Sequence, residues 1–489
     1  MLLAAPKLTR LKVSGFKNLV GVDVRFGPFT CIAGANGIGK SNLFDAIAFL
    51  GALATKPLTQ AALSVRDEAG RGSDVRSLFH RVGEKGAAVM SFEAEMLVPT
   101  TSVDEFGQTA TASRTFLRYR LKLGLRADNS AWAALGALEI IEEELAGIPN
   151  RDTKSHLSFP HTETWRSAVS QGVKRTPFIS TNEDDGSRRV HLHQDGGSSG
   201  KPLTKPATNL PRTVLSTANA AENPTVLCAK REMESWTLLQ LEPSALRAAD
   251  DFHAPPHLGS HGEHLPATLS RLAGHATGNG NSAQMYSRIT NRLFGLIEDI
   301  HGVGVDRDEK RETLTLQVRG KNGTSYPARS LSDGTLRFLA LAVLEEDASA
   351  QGVICLEEPE NGIHPDRIPA MLRLLQDIAT DADEPVDATN PLRQVIINTH
   401  SPVVVMQVPL ESLLLADAVE DSDERGVFHR TTFAALSKTW RTKDEPASAA
   451  LPAGKLLSYV DPVRHTSDYP SYEKRVLESQ EVQLLLRFK

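Results

Sequence analysis

The stretch GANGIGKS at residues 34–41 constrains the fold of this chain more than any other. It satisfies the spacing G-x-x-x-x-G-K-[ST]. It lies between a continuous apolar run, FTCIA at 29–33, and a segment with helical spacing, SNLFDAIAFLGAL. A short run that is apolar at nearly every position suits a buried strand. Glycines at these positions let backbone N–H groups converge on phosphate oxygens, and the helix starting near Lys40 turns its positive dipole end toward them. Lys40 then reaches the β- and γ-phosphates, and the Ser41 hydroxyl ligates Mg2+. The candidate nucleotide-binding residues are Gly34, Asn36, Gly37, Gly39, Lys40, Ser41 and Asn42.

Three later stretches carry chemistry that fits such a loop. GVICLEEPENGIHP, residues 352–365, is an apolar strand ending in two carboxylates. Acids at the carboxyl end of a buried strand sit at the mouth of an α/β sheet, where nucleotides bind. Glu357 is the candidate metal ligand, and Glu358 the candidate base that takes a proton from the attacking water. QVIINTHSP, residues 394–402, is a second apolar strand, ending at His400, placed to bond a γ-phosphate or orient water. LSDGTLRFLAL, residues 331–341, reads as a helix capped by Ser332, Asp333 and Gly334, with Leu336, Leu339, Ala340, Val343 and Leu344 on the buried face. A capped helix start with a serine hydroxyl is itself an anion site, although most such starts are ordinary caps.

The 489 residues predict two or three domains. A net charge of -6 argues against a protein that coats nucleic acid, while leaving room for a local basic patch. Cys31, Cys228 and Cys355 sit in apolar runs at no metal-like spacing, so they read as core residues of a cytoplasmic protein. No segment is apolar and long enough to span a membrane. FEAEMLV at 92–98 and LRYRLKLGL at 117–125 alternate as half-buried antiparallel strands. The stripe Arg118, Arg120, Lys122 reads as a solvated sheet face before it reads as a nucleic-acid surface. Residues 150–230 are rich in Gly, Ser, Pro and Asn and read as a long, partly disordered surface insertion. Helical spacing returns over 265–300, and ETLTLQV at 312–318 reads as a strand. His253, His257, His261, His264 and Glu263 cluster, but Pro255 and Pro256 deny them a common helical face, so no metal is assigned there.

Taken in order, these four stretches resemble the ABC-type ATPase heads of the RecF/SMC/OLD group, and more narrowly the prokaryotic OLD-like AAA family ATPases. GFKNLVGVDVRFGPFTCIAGANGIGKSNLFDAI matches the group's opening; LSDGTLRFLALAVL looks like its signature, CLEEPENGIHP its Walker B, and VIINTHSPVVV its switch histidine. The resemblance covers roughly residues 8–100 and 230–417. It implies an α/β fold: a mixed sheet with the P-loop and an antiparallel β lobe, with a helical and irregular insertion between Walker A and signature. The implied division is 1–150 and 301–420 for the two parts of the head, 151–300 for the insertion and 421–489 for a C-terminal extension. It further implies ATP and Mg2+ as ligands. Two subunits would pack head to tail, with Ser332 and Gly334 completing the partner's site, as a homodimer or higher homo-oligomer. Relatives of this architecture commonly serve in anti-phage defence, paired with a separate effector subunit, a nuclease or toxin; no Toprim pattern follows the switch strand here, so any nuclease activity is expected from such a subunit. The alternative is a RecF-like repair ATPase that binds DNA; a transporter subunit and a non-hydrolysing scaffold fit less well. Two departures stand out. Asp333 occupies a position where many relatives have Gly, and its expected partner is Arg337 one turn on. No Q-loop glutamine is evident; SLFHRVGEKGAAVMSF occupies about its place, with Arg81 a candidate for phosphate or partner contact.

Overall fold

A computed structural model describes residues 7–65, 74–126, 138–172, 176–184, 186–195, 201–275, 282–294, 300–350, 352–387, 389–443, 450–451 and 453–460. The expected mixed sheet carrying the glycine loop, with an antiparallel lobe beside it, is what the chain forms. Six strands make the central sheet, in the order Thr237–Leu239, Gly352–Glu357, Arg393–Thr399, Phe29–Ala33, Leu413–Asp423 and Gly426–Ala435. Neighbours pair parallel throughout except for the last pair, which is antiparallel.

The apolar runs are explained by what lies on each side of this sheet. Ile32, Val353, Cys355 and Ile396 point into one hydrophobic core. Their alternates Cys31, Ala33, Ile354, Leu356, Val395 and Ile397 point into a second. Side chains alternate across a strand, so a strand walled by two cores has no face left for polar residues. The first core is filled from the helix Lys40–Leu53 and from the antiparallel lobe. The second is filled by the helices Asp333–Glu346 and Ile368–Ile378. All three cysteines are buried and free, as core residues should be.

The antiparallel lobe has eight strands, in the order Leu203–Pro206, Ser187–Leu192, Ile179–Asp184, Leu138–Gly147, Phe116–Leu125, Val89–Leu97, Lys7–Ser14 and Val22–Arg25. Gln394 ties it to the central sheet: its side chain accepts from Leu8 N and donates to the carbonyls of Leu8 and Gly27. On strand Phe116–Leu125 the leucines and Tyr119 face inward and the basic stripe outward. That stripe is neutralised by the neighbouring strands: Arg120 pairs with Glu93 at 2.6 Å, Lys122 with Glu142 at 2.6 Å, and Arg118 approaches Glu144 at 4.0 Å.

The region expected to be irregular has more order than its composition suggests. Strands Ile179–Asp184, Ser187–Leu192 and Leu203–Pro206 extend the eight-stranded sheet. The buried Glu143 carboxylate accepts from Val214 N and Leu215 N, both at 2.8 Å, and fastens the following turn to that sheet. Helix Pro224–Glu234 then packs under the lobe. The expected helical stretch appears as Leu265–His275 and Ser282–Phe294, and the expected strand as Thr313–Gly320. Beyond residue 420 the chain adds the edge strand Gly426–Ala435 and the helix Ala453–Val460; the rest of the expected C-terminal extension, 461–489, lies outside the described residues. Among the described residues no helix is long and apolar enough to cross a membrane.

Candidate active site

The carboxyl ends of strands Phe29–Ala33, Gly352–Glu357 and Arg393–Thr399 open on a cleft of about 580 Å3. Its walls include Asn36, Gly37, Gly39, Lys40, Ser41, Asn42, Glu357 and Glu358. Residues from two distant parts of the sequence therefore meet, as strands adjacent in a parallel sheet require. Gly39 caps the helix Lys40–Leu53 with a φ of 98°, which a residue with a side chain rarely adopts. A Cβ there would also fall 2.2 Å from the Asn18 side chain and 2.5 Å from the Thr431 hydroxyl. Those two side chains grip the loop. Asn18 donates to the Ile38 carbonyl at 3.1 Å and accepts from the Asn42 side chain at 2.7 Å. Thr431, on the edge strand, donates to the same Ile38 carbonyl at 2.5 Å.

Lys40 is buried, and its ammonium donates to the carbonyls of Gly34 and Ala35, both at 2.8 Å. Burial lowers its pKa, opposed by the nearby carboxylates of Glu358, Glu360 and Glu357. An ammonium beside a glycine-rich helix start suits a polyphosphate. Glu357 closes the strand, accepting from the side chains of Gln240 at 3.2 Å and Asn398 at 3.4 Å. With the Ser41 hydroxyl across the cleft, the available donors are hard oxygens, which fit Mg2+.

Glu358 has a left-handed backbone, φ 44°. For a non-glycine residue that conformation costs of order 1–3 kcal/mol and needs support. The support is visible: its N–H donates to the Asn398 side chain at 3.0 Å and backbone carbonyl at 3.1 Å. Its carboxylate accepts from Asn361 Nδ2 at 2.8 Å and bonds His400 Nδ1 at 2.7 Å. A carboxylate accepts, so the partner chemistry assigns the proton to Nδ1. His400 therefore meets the Glu358 carboxylate directly. Beneath them Glu360 is buried, takes a bond from the Thr399 hydroxyl, and has its pKa raised by burial.

Ser332 and Gly334 are not brought to this cleft. Ser332 caps helix Asp333–Glu346 as expected, accepting from Thr335 N at 3.2 Å. That helix start rests on the loop after Glu358: a Cβ on Gly334 would lie 2.8 Å from the Gly362 carbonyl. The expected pairing of Asp333 with Arg337 does not form. Arg247, distant in sequence, takes Asp333 at 2.5 Å, while Arg337 donates to the Asn361 carbonyl at 2.5 Å. Arg81 lies exposed in a short hairpin and is not among the cleft residues. A glutamine that sequence reading did not single out, Gln240, does line the cleft and donates to Glu357. It follows a strand of only three residues, too short for periodicity to mark, although the apolar run TLL just ahead of it was available as a signal. The histidine cluster disperses onto separate partners, His261 to Glu242 at 3.4 Å and His264 to Asp250 at 3.1 Å, while His253 and His257 are exposed.

A family profile described as "AAA domain, putative AbiEii toxin, Type IV TA system" matches residues 29–146 and 235–406. No curated protein matches the chain. Among solved structures, an SMC head bound to the C-winged helix domain of ScpA is 13% identical at a TM-score of 0.45, covering 88% of this chain and 98% of that one. The SMC head domain from Thermotoga maritima is 11% identical at 0.37, covering 88% and 99%. An Smc head with an extended coiled coil, bound to the C-terminal domain of ScpA derived from Pyrococcus furiosus, is 12% identical at 0.41, covering 94% and 100%.

Proposed function

The chain belongs to the AAA-domain family described by the putative AbiEii toxin of Type IV TA systems, and from that premise we propose that it hydrolyses Mg–ATP at the P-loop cleft and acts as an ATP-gated switch. One observation carries the reading. Lys40, Ser41, Glu357 and a Glu358 carboxylate held by His400 and Asn361 converge on a single cleft. Lys40 and the loop N–H groups hold the phosphates, and Ser41 and Glu357 hold Mg2+, which would neutralise phosphate charge when bound. Glu358 takes a proton from water as the water oxygen attacks the γ-phosphorus. The bond from that phosphorus to the β,γ-bridging oxygen breaks, giving ADP and phosphate. His400 orients the base through its Nδ1 proton.

In this reading two chains close head to tail over two ATP molecules, Ser332 and Gly334 of each facing the other's P-loop. The family description names the toxin of a toxin–antitoxin system, and that supports a paired arrangement. The form we propose is control of a separate effector, a nuclease or toxin, in prokaryotic anti-phage defence. The RecF-like alternative is less favoured, because the basic stripe available to DNA is occupied by Glu93, Glu142 and Glu144.

Glu358→Gln tests the chemistry. It should bind Mg–ATP as tightly as the parent and lose about 10²–10⁴-fold in turnover, the usual contribution of a general base. Undiminished hydrolysis would remove Glu358 from that role, and a parent chain that binds no Mg–ATP would end the reading altogether.

A further inference from the structure

A second groove, of about 570 Å3, lies on the small sheet built around strand Thr313–Gly320 and shares no residue with the P-loop cleft. One face of that sheet sends Val303, Leu316 and Val318 into the second core. The other face lines the groove, with Gly302, Gly304 and Asp306 of strand Ile300–Asp308 and with Gln317 and Arg319 of strand Thr313–Gly320. Helix Ser282–Phe294 makes the side wall, where Asn291 lies. The helix is fastened along the strand edge that faces away from Thr313–Gly320. Thr290 Oγ1 accepts from Val303 N at 3.1 Å, and the Tyr286 hydroxyl bonds the Val305 backbone. The wall is therefore in place before any ligand arrives.

The two glycines are the informative residues. Neither has a positive φ, so the backbone does not call for glycine at either position. A Cβ on Gly304 would meet nothing within 4 Å, so packing does not call for it there. A Cβ on Gly302 would meet one atom, the Arg319 Cβ of the opposite strand, at 3.3 Å. Glycine weakens the interior of a strand, and it often marks a place that another molecule approaches closely. Two such positions in alternation leave a flat strip of peptide about 7 Å long. Around the strip stand Asn291, Asp306, Gln317 and Arg319, whose side chains have no hydrogen-bond or ion-pair partner among the described residues. A few unspent polar groups converging on one groove are what a small-molecule site needs.

We propose that this groove binds a nucleoside monophosphate, at a site separate from the P-loop. The side chains select that class. The glycine strip takes a flat heterocyclic ring. Asn291 and Gln317, on the helix wall and the sheet, each offer a donor and an acceptor, the groups with which amide side chains read base edges. The Arg319 guanidinium presents a fork to one phosphate. Asp306 accepts from ribose hydroxyls. A single cation with a carboxylate in the same groove does not suit a triphosphate, which has Lys40 elsewhere.

Lys40→Ala removes the P-loop as a competitor and is the background for the test. Calorimetric titration of that full-length variant with AMP, GMP, CMP and UMP should show saturable binding of at least one. Adding Gly304→Val should abolish it by filling the floor. The melting temperature should not fall, because valine suits an open strand position. Adding Arg319→Ala should weaken the binding about tenfold, the usual weight of a hydrogen bond to a charged group. If Gly304→Val melts early, Asn291→Leu on the helix wall takes its place, with the same loss expected. Failure of all four monophosphates to bind at millimolar concentration would overturn the proposal. So would binding that the floor or wall variant and Arg319→Ala both leave unchanged, since the ligand would then sit elsewhere.

Discussion

Lys7 is fully buried at the start of the antiparallel lobe. Its ammonium lies 4.8 Å from the Trp165 ring centroid and 5.8 Å from that of Phe159, and has no hydrogen-bond partner among the described residues. The aromatic faces favour the charged form, but burial outweighs them and lowers the pKa from 10.5 to about 7. The unfolded chain keeps this proton up to about 10.5 while the folded protein releases it near 7. Between those values the unfolded state binds more protons, so stability rises with pH; below 7 the full cost of a buried charge is present. Lys7→Met should therefore be more stable than the parent at pH 6 and should lose the rise in stability between pH 7 and 10. Urea unfolding at pH 6 and pH 9 measures both, and an unchanged pH slope in the variant would assign the titration elsewhere. Other single residues were hidden from the sequence for a related reason: their partners are remote. Asp333 was legible as an acid needing a cation, but spacing can only offer Arg337, whereas the fold delivers Arg247. The left-handed backbone of Glu358 leaves no mark in the letters EEPE, since it arises from how Asn398 and His400 meet it.

Among elements, the P-loop is more than its own eight residues. It is gripped from the turn after strand Lys7–Ser14 by Asn18 and from the edge strand Gly426–Ala435 by Thr431. Both bonds end on the Ile38 carbonyl, which fixes the peptide just before Gly39. Asn18→Ala removes two bonds to the loop, and at about 1 kcal/mol each Mg–ATP affinity should fall roughly tenfold or more. Calorimetric titration reads this directly; an unaltered affinity would mean that the loop holds its shape without the clamp. The elements that could be read ahead were those with sustained patterning. The doubly buried strands announced themselves as apolar runs, and Val89–Leu97 and Phe116–Leu125 as alternation. Ile179–Asp184 and Leu203–Pro206 are short, polar and half exposed, so the physics that orders them is pairing with Leu138–Gly147 and with each other's neighbours, and composition alone argued for disorder. Edge strand Thr237–Leu239, and Gln240 after it, escaped in the same way.

For the whole molecule the decisive fact is that two glycine-bearing helix starts of one chain do not meet. The P-loop, Glu357 and Glu358 share a cleft, while the capped helix start at Ser332 and Gly334 rests on Gly362 away from it, with Asp333 exposed. Ser332 is exposed there while Gly334 is buried, and a helix start so placed can serve a phosphate only if that phosphate is held by another chain, which is the head-to-tail arrangement proposed above. Ser332→Arg should leave Mg–ATP binding by the monomer intact and stop hydrolysis by blocking closure. Lys40→Ala should stop hydrolysis by losing the phosphates. Each variant damages a different half. A mixed dimer of the two has one composite site built from an intact P-loop and an intact signature. Random pairing makes roughly half of the dimers mixed, each with one good site of two, so an equimolar mixture should recover roughly a quarter of the parental rate. Hydrolysis by Ser332→Arg alone at the parental rate would show that the helix start plays no part. A mixture as inactive as its components would show that each chain completes its own site.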